Sequence, residues 1–415
     1  MNGNVPPIDR LAGMDFYSTD FKGCGESIKD KNEDFQVFEL LDSSISNQIS
    51  KVQTKYYKIP IYVLEKNNID SGHAIHKIFQ KMRTKLRILG LKDAKAITLQ
   101  YATGQPSKVI QNMDTGDVKL QLIGFLPFPL KKSNLVGNRF KIRISYADCE
   151  YISKHASDFY GIANYYGLQR FGSERLVTHL VGREIIRKNF RAALELYLCH
   201  TTKYDSKFSK EIRNKCLDQK NYKSVLKVMP KGMDIERIIL SALMEGKSDV
   251  AALRSIPVAM RRFFIHSFQS YLFNKIISRA MQDGESLSKT NRDDLCFEIG
   301  NGFALGKLYR SEGTEKEKNV VPAIQLAGYG LKNSGGRFEK ISIEILKEEK
   351  IIPRDFYINE LQELSIEGGY RQTTLMTHGF SSDQGKIEFT LPVGAYATTL
   401  LREIMKPIDP IKSGF

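Results

Sequence analysis

The sequence predicts an α+β protein in which a long, mainly helical segment divides an otherwise mixed sheet domain. Three observations point there. Up to about residue 170 the chain shows strand-like alternation with one amphipathic helix set among the strands. From 173 to about 285 the spacing becomes helical. From about 294 short apolar runs punctuated by glycine return, and the chain closes with a strand, a Pro392-Val393-Gly394 turn and a helix from about Ala397.

Taken in order, Asp34 to Leu40 reads as a strand, and Tyr57, Ile59, Ile61 and Val63 alternate with the period of a half-buried one. Ile75, Ile78, Phe79, Met82 and Leu86 recur at helical spacing, which predicts an amphipathic helix over 72–87. Phe140, Ile142 and Ile144 alternate with Arg139, Lys141 and Arg143, so that strand has one apolar and one basic face. In the helical middle, Leu176, Leu180 and Ile185, then Ile235, Ile238, Ile239 and Leu243, then 262–281 form the apolar stripes. The stretch 203–231 holds nine Lys/Arg against three acids.

Composition narrows the function classes. The 415 residues are 41% apolar, with 23 Phe and 19 Tyr, enough to fill a core, and the length suggests two or three domains or one domain with a large insertion. Lys and Arg number 62 against 47 acids, a net charge of +15, which calls for a polyanionic partner, nucleic acid or an anionic membrane. No apolar run approaches the ~20 residues of a membrane span; the longest, near Leu122 to Leu130, is broken by Pro127 and Pro129. The N-terminal residues lack a signal-peptide pattern. The five cysteines are scattered without zinc or redox spacing, and a reducing cytoplasm is the expected setting.

Cofactor signatures are missing. Gly302 to Leu308 has the wrong spacing for a phosphate-cradling loop, and Gly328-Tyr329-Gly330 lacks the third glycine of a dinucleotide fingerprint. His73 and His76 could share a helix face but have no third ligand nearby. We therefore expect no metal and no cofactor, and chemistry done by side-chain acids, bases or nucleophiles.

Four segments then resemble the signature regions of the TruD family of tRNA pseudouridine synthases. They are Lys29 to Glu39; Gly90-Leu91-Lys92-Asp93-Ala94-Lys95-Ala96-Ile97-Thr98-Leu99-Gln100; Asn164-Tyr165-Tyr166-Gly167-Leu168-Gln169-Arg170-Phe171-Gly172; and Phe389 to Thr398 with Arg402-Glu403. Weaker matches at Gly137-Asn138-Arg139-Phe140 and Ser267 to Asn274 keep the same order. The resemblance implies a pseudouridine synthase catalytic domain over 1–189 and 366–415, with a family-specific, mainly helical α+β domain inserted over 190–365. It implies isomerisation of uridine to pseudouridine in tRNA, at position 13, without a cofactor.

By the same resemblance Asp93 is the catalytic carboxylate. Phe35, Tyr166 and Tyr396 would line the pocket for a flipped base, Asn164 would be its fixed amide, Lys29 would stand near it, and Gln100 would support the catalytic loop. Tyr166 stands where family members often carry phenylalanine. Arg139, Lys141 and Arg143, Arg170 and the 203–231 stretch are expected to border an RNA-binding cleft between the domains. The expected partner is tRNA, with no membrane and no obligate protein partner. The competing reading is a non-catalytic tRNA-binding or RNA-chaperone protein on the same fold.

Overall fold

The computed structural model of the chain describes residues 5–90, 92, 96–230, 232–300, 303–314, 319–332 and 335–415. Among them, one mixed sheet of nine strands dominates the part built from both ends of the chain. Its order is His378–Asp383, Lys386–Pro392, Leu135–Arg143, Phe35–Leu41, Ile97–Thr103, Ile59–Asn67, Val118–Leu126 and Asn112–Asp114, with the short Arg87–Ile88 also laid along Ile97–Thr103. Phe35–Leu41 and Ile97–Thr103 run parallel; the other neighbours are antiparallel.

Register decides which side chains share a face. Val37 sits beside Thr98 on one side and Phe140 on the other, and Phe140 faces Phe389. Leu64 sits beside Gln100, and Tyr62 beside Ala102. Strand residues alternate between faces, so these residues form one face, here called the front. Helix Ala397–Met405 covers one end of it, placing Leu400, Leu401 and Ile404 over Val37, Ile142 and Phe389. Helix Ser71–Met82 covers the other end, placing Ala74 and Ile78 over Tyr62, Leu64 and Ala102. The middle of the front face, around Val37 and Thr98, lies between the two helices.

Helix Ser71–Met82 starts where the Asp70 carboxylate accepts hydrogen bonds from Gly72 and His73 backbone N–H groups. It ends before the expected residue 87, because Arg83 takes a left-handed conformation (φ 52°) and closes the last turn. Leu86 keeps the helical spacing but packs from the following loop.

The second core is helical. Thr178–Ile186, Phe190–Cys199, Asp234–Met244, Asp249–Ser255 and the long Val258–Gln282 bury their apolar stripes in one cluster with Ile324, Phe338 and Phe356. The same cluster takes in Ile8, Met14, Tyr165 and Phe171, so it contains residues on both sides of the boundary expected at 190. A four-stranded sheet, Phe303–Arg310, Leu295–Gly300, Val320–Leu326 and Gly369–Gln372, lies beside it. Its last strand leads back to the nine-stranded sheet through Thr374–Leu375, paired with Ile162–Ala163. A buried ion pair ties the segment after residue 5 to the helix Ala397–Met405: Arg402 Nε meets Asp9 Oδ2 at 2.6 Å, and Glu403 accepts the Ser18 and Thr19 amides. Burial pushes the carboxyls of Asp9 and Glu403 above the usual range, against the pull of Arg402.

Candidate active-site cleft

The uncovered middle of the front face is the floor of a cleft of about 430 Å³. Phe35, Val37, Thr98, Asn138 and Phe140 rise from three neighbouring strands; Lys29 and Lys92 come from loops at its edge; Arg170, Phe263 and Tyr396 close it from the helical side.

Two loops deliver the lysines. Lys29 adopts φ 63°, and its ammonium stands 4.7 Å from the centre of the Phe35 ring. Lys92 is held at both ends. Its backbone N–H donates to Ser71 Oγ (2.9 Å), whose hydroxyl reaches Gln100 Oε1 (3.0 Å). The Lys92 ammonium donates to Asn138 Oδ1 (2.8 Å) and lies 3.2 Å from Glu39 Oε1. Glu39 is on the front-face parity of its strand with a fully buried side chain; its other oxygen accepts the Tyr101 N–H at 2.8 Å. A buried carboxylate requires a partner of this kind. Gln100, 1% exposed, also donates to the Gly90 carbonyl (3.4 Å). The chain is thus fixed at Gly90 and at Lys92, one residue before Asp93. Asp93 itself lies outside the described residues, as does Lys95.

The aromatic wall is built by a second set of elements. Tyr166 meets Tyr396 edge-on with ring centres 5.7 Å apart and Phe273 at 5.5 Å. The Arg371 guanidinium lies 4.0 Å from the Tyr166 ring centre, and Arg170 lies 5.8 Å from it. Arg170 is aimed by a bond from Nε to Ser270 Oγ (3.1 Å). Gly167 permits the close approach: a Cβ there would stand 2.6 Å from Thr398 Oγ1 and 2.9 Å from Gln169 Oε1, which bond each other at 3.0 Å.

This geometry has clear relatives. Residues 11–404 match the family described as tRNA pseudouridine synthase D (TruD). The chain belongs to that family. It is 31% identical to a protein of Pyrobaculum islandicum over 99% of both chains, and 29% identical to one of Archaeoglobus fulgidus over 96% of this chain and 99% of that one. Both are described as probable tRNA pseudouridine synthase D. A crystal structure from Methanosarcina mazei, described as a putative tRNA pseudouridine synthase D, superposes with a TM-score of 0.78 at 26% identity, covering 99% of this chain and 100% of that one.

In this TruD-family cleft the structure brings together Lys29, Phe35, Arg170 and Tyr396, with Tyr166 behind Tyr396 and Gln100 beneath the loop that leads to Asp93. It places Asn164 elsewhere. Asn164 lines an adjoining pocket of about 500 Å³, and its amide is engaged by the protein: Nδ2 donates to the Gln372 carbonyl (2.9 Å) and Oδ1 accepts from Arg371 Nη2 (2.7 Å). Arg139, Lys141 and Arg143 stand on the back of the sheet, not in the cleft. Arg139 and Lys141 both pair with Glu388, at 2.5 and 2.8 Å, and Arg143 lies 3.7 Å from Asp34. Their alternation with Phe140 and Ile142, which face the front, sends them there.

The sequence did not single out Glu39 or Arg371 as parts of the site, and Lys92 stood out only as a cation next to Asp93. Glu39 and Lys92 form its buried ion pair; the detectable signal was a carboxylate on the buried parity of a strand. Arg371 joins Asn164, the Tyr166 ring and the Gly394 carbonyl (2.9 Å). Its partners are distant in sequence, so no local pattern announced it.

In the 203–231 stretch, Arg213 is buried against Glu236 (3.0 Å), whereas Lys207, Lys215, Lys220, Lys223 and Lys227 are exposed on helices Lys207–Lys215 and Tyr222–Val228 and the turn between them. Tyr204 donates to Asp409 (2.7 Å), and Ile28 to the Ser413 carbonyl (2.9 Å), so residues 409–413 run from this basic surface to the Lys29 loop. Among the described residues no group of three or more His, Cys, Asp or Glu could hold a metal ion, and no helix is long and apolar enough to cross a membrane.

Proposed function

We propose that this chain isomerises uridine to pseudouridine in tRNA, at position 13, with Asp93 as the essential carboxylate. The observation that carries the reading is the family match over 11–404, joined to a cleft whose edge is the anchored loop just before Asp93.

The reaction breaks the N1–C1′ bond, turns the uracil and joins C5 to C1′. The proton on C5 leaves to solvent and N1 gains one, so no other reactant is required. The Asp93 carboxylate serves either as nucleophile at the sugar or base, or as the base that removes the C2′ proton to give a glycal-like intermediate. The target base is stacked in folded RNA and must first be flipped, at a cost of a few kcal/mol. Phe35 and the Tyr396–Tyr166 pair offer aromatic surface for the extruded base. Lys29 and Arg170 at the rim suit the phosphates on either side of it, and the exposed lysines of 207–227 extend that positive path. Asn164 acts through Arg371, holding the guanidinium against the Tyr166 ring.

The test is tritium release from tRNA labelled at uridine C5, without added cofactor. Wild type releases the label, and Asp93→Ala reduces release by roughly 10³-fold or more, as loss of a group that bonds or deprotonates the substrate requires. Equal release by both proteins removes Asp93 from the reaction; no release by a wild type that still binds tRNA leaves the binding-protein reading.

A further inference from the structure

Helix Val258–Gln282 contributes Phe263 to the cleft and, from another side, Phe268 and Tyr271 to a separate cavity of about 250 Å³. Three arginines, Arg10, Arg175 and Arg183, line this second cavity, together with His179 and His200. No carboxylate lines it among the described residues. The acids that pair with Arg175 and Arg183, namely Glu236 at 3.2 Å, Glu184 at 3.0 Å and Glu349 at 3.8 Å, are not part of its lining. Arg10 is exposed.

Two nitrogens buried behind the wall have no hydrogen-bond partner among the described residues. His179 is 4% exposed, stacked on Tyr271 (5.1 Å) and edge-on to Phe171 (5.3 Å). Its Nδ1 is buried without a hydrogen-bond partner among the described residues, and the same holds for Arg175 Nε. Arg175 uses its other nitrogens on Glu236 and on the Tyr197 and His200 carbonyls. Folded proteins leave few buried polar atoms unpaired. Both atoms are closed off from the cavity itself; it is the three arginines around it, with no acid in its described lining, that point to an anionic ligand.

We propose that this cavity is a phosphate site, filled by a phosphate of an RNA backbone or of a free nucleotide. Arginine forks match the tetrahedral oxygens of phosphate. Small-molecule pockets usually run about 300–1,000 Å³, so this smaller one takes a phosphate with at most part of its nucleoside, the remainder projecting past Arg10. The site shares no lining residue with the catalytic cleft, and only its RNA form rests on the tRNA-modifying reading.

The experiment titrates the full chain calorimetrically with inorganic phosphate and with adenosine 5′-monophosphate, comparing wild type with Arg10→Glu. Arg10 is exposed, so the variant folds, and circular dichroism checks this. Arg10→Glu weakens both ligands about tenfold, the size of one lost charge-assisted contact. In tRNA assays, a KM raised several-fold with kcat unchanged, and a salt slope reduced by about one, assigns the site to the RNA backbone. An unchanged KM with weakened nucleotide binding assigns it to a free nucleotide. Absence of phosphate and nucleotide binding at millimolar concentration, together with an unchanged KM in Arg10→Glu, overturns the proposal. A wild type that binds phosphate but modifies no tRNA keeps this site and removes the reading of the cleft.

Discussion

The two faces of the nine-stranded sheet are made by the same strands and differ by one residue of parity, yet they handle charge in opposite ways. Among the described residues the front carries the ion pair of Glu39 with Lys92, whose side chains are 0% and 17% exposed. The back carries Arg139 and Lys141 around Glu388, with side chains 51%, 39% and 30% exposed. Breaking a buried pair by removing one partner strands a charge and costs about 3–5 kcal/mol, whereas exposed pairs are worth about 0–1 kcal/mol. The front-face pair therefore fixes a loop, and the back-face pairs are adjustable surface. A row of cations in a strand does not by itself say where RNA lies.

The largest effect that sharpens this comparison is expected from Lys92→Met. It leaves Glu39 buried without its cation and lowers stability by about 3–5 kcal/mol, read as a shift of the urea midpoint. Adding Glu39→Leu restores most of the stability but not the activity, because the loop leading to Asp93 keeps only its bonds to Ser71 and Gln100 and loses its side-chain anchor. A single variant as stable as wild type breaks the contrast between the faces.

Arg371→Ala comes next. It frees the Asn164 amide and uncovers the Tyr166 ring, and kcat/KM for tRNA falls about tenfold, the scale of one or two charge-assisted hydrogen bonds, while the melting temperature moves little. If stability falls and kcat/KM does not, Arg371 is a strut between sheets and no part of the site.

On the back face, replacing Arg139 and Lys141 together by glutamine is expected to change stability by less than about 1 kcal/mol and to leave the KM for tRNA within about twofold, the spread of an uninvolved surface site. A marked rise in KM, with a flatter salt dependence, would return RNA to this face.

The smallest effect is in pH. Hydrogen bonds from Lys141 and then Arg139 hold the Glu388 carboxyl below its ordinary value. Its contribution is complete above the ordinary glutamate pKa of about 4.3 and is lost as pH falls through the lower folded value. Because the group is largely solvated, the loss is slight, and Glu388→Gln flattens that part of the stability profile. A steep loss above pH ~5, beyond the reach of a group that titrates near 4.3, would belong to another group.

Much of the fold was legible because alternation and helical spacing are local. The strands at 35–41 and 135–143, the helix starting near residue 71 and the helical middle all follow from them. The end of the first helix was not, since Leu86 keeps the spacing while Arg83 leaves the helical backbone. The division at 190 was blurred for a related reason: Thr178–Ile186 has an ordinary amphipathic stripe, and only packing shows it buried against Val258–Gln282. In the site, motif order pointed to Lys29, Phe35, Arg170 and Tyr396, which do share a cleft. It could not show that Asn164 is occupied by Arg371, some two hundred residues away, because that bond depends on a strand returning from the helical part. Nor could it tell which side of the sheet Arg139 faces relative to the opening. Parity separates two faces, but only the packing of distant elements shows which of them borders the cleft.

The pairing of Asp9 with Arg402 has a consequence for synthesis. The partners are 393 positions apart, and at roughly 5–20 residues per second they leave the ribosome tens of seconds from each other. Through that interval the apolar front of Phe35–Leu41 and Leu135–Arg143 has been made, but the strand and helix that cover it, Lys386–Pro392 and Ala397–Met405, have not. The sheet must wait partly uncovered, a natural client for chaperones, and nascent chains stalled ahead of residue 386 should be far more protease-sensitive than released ones.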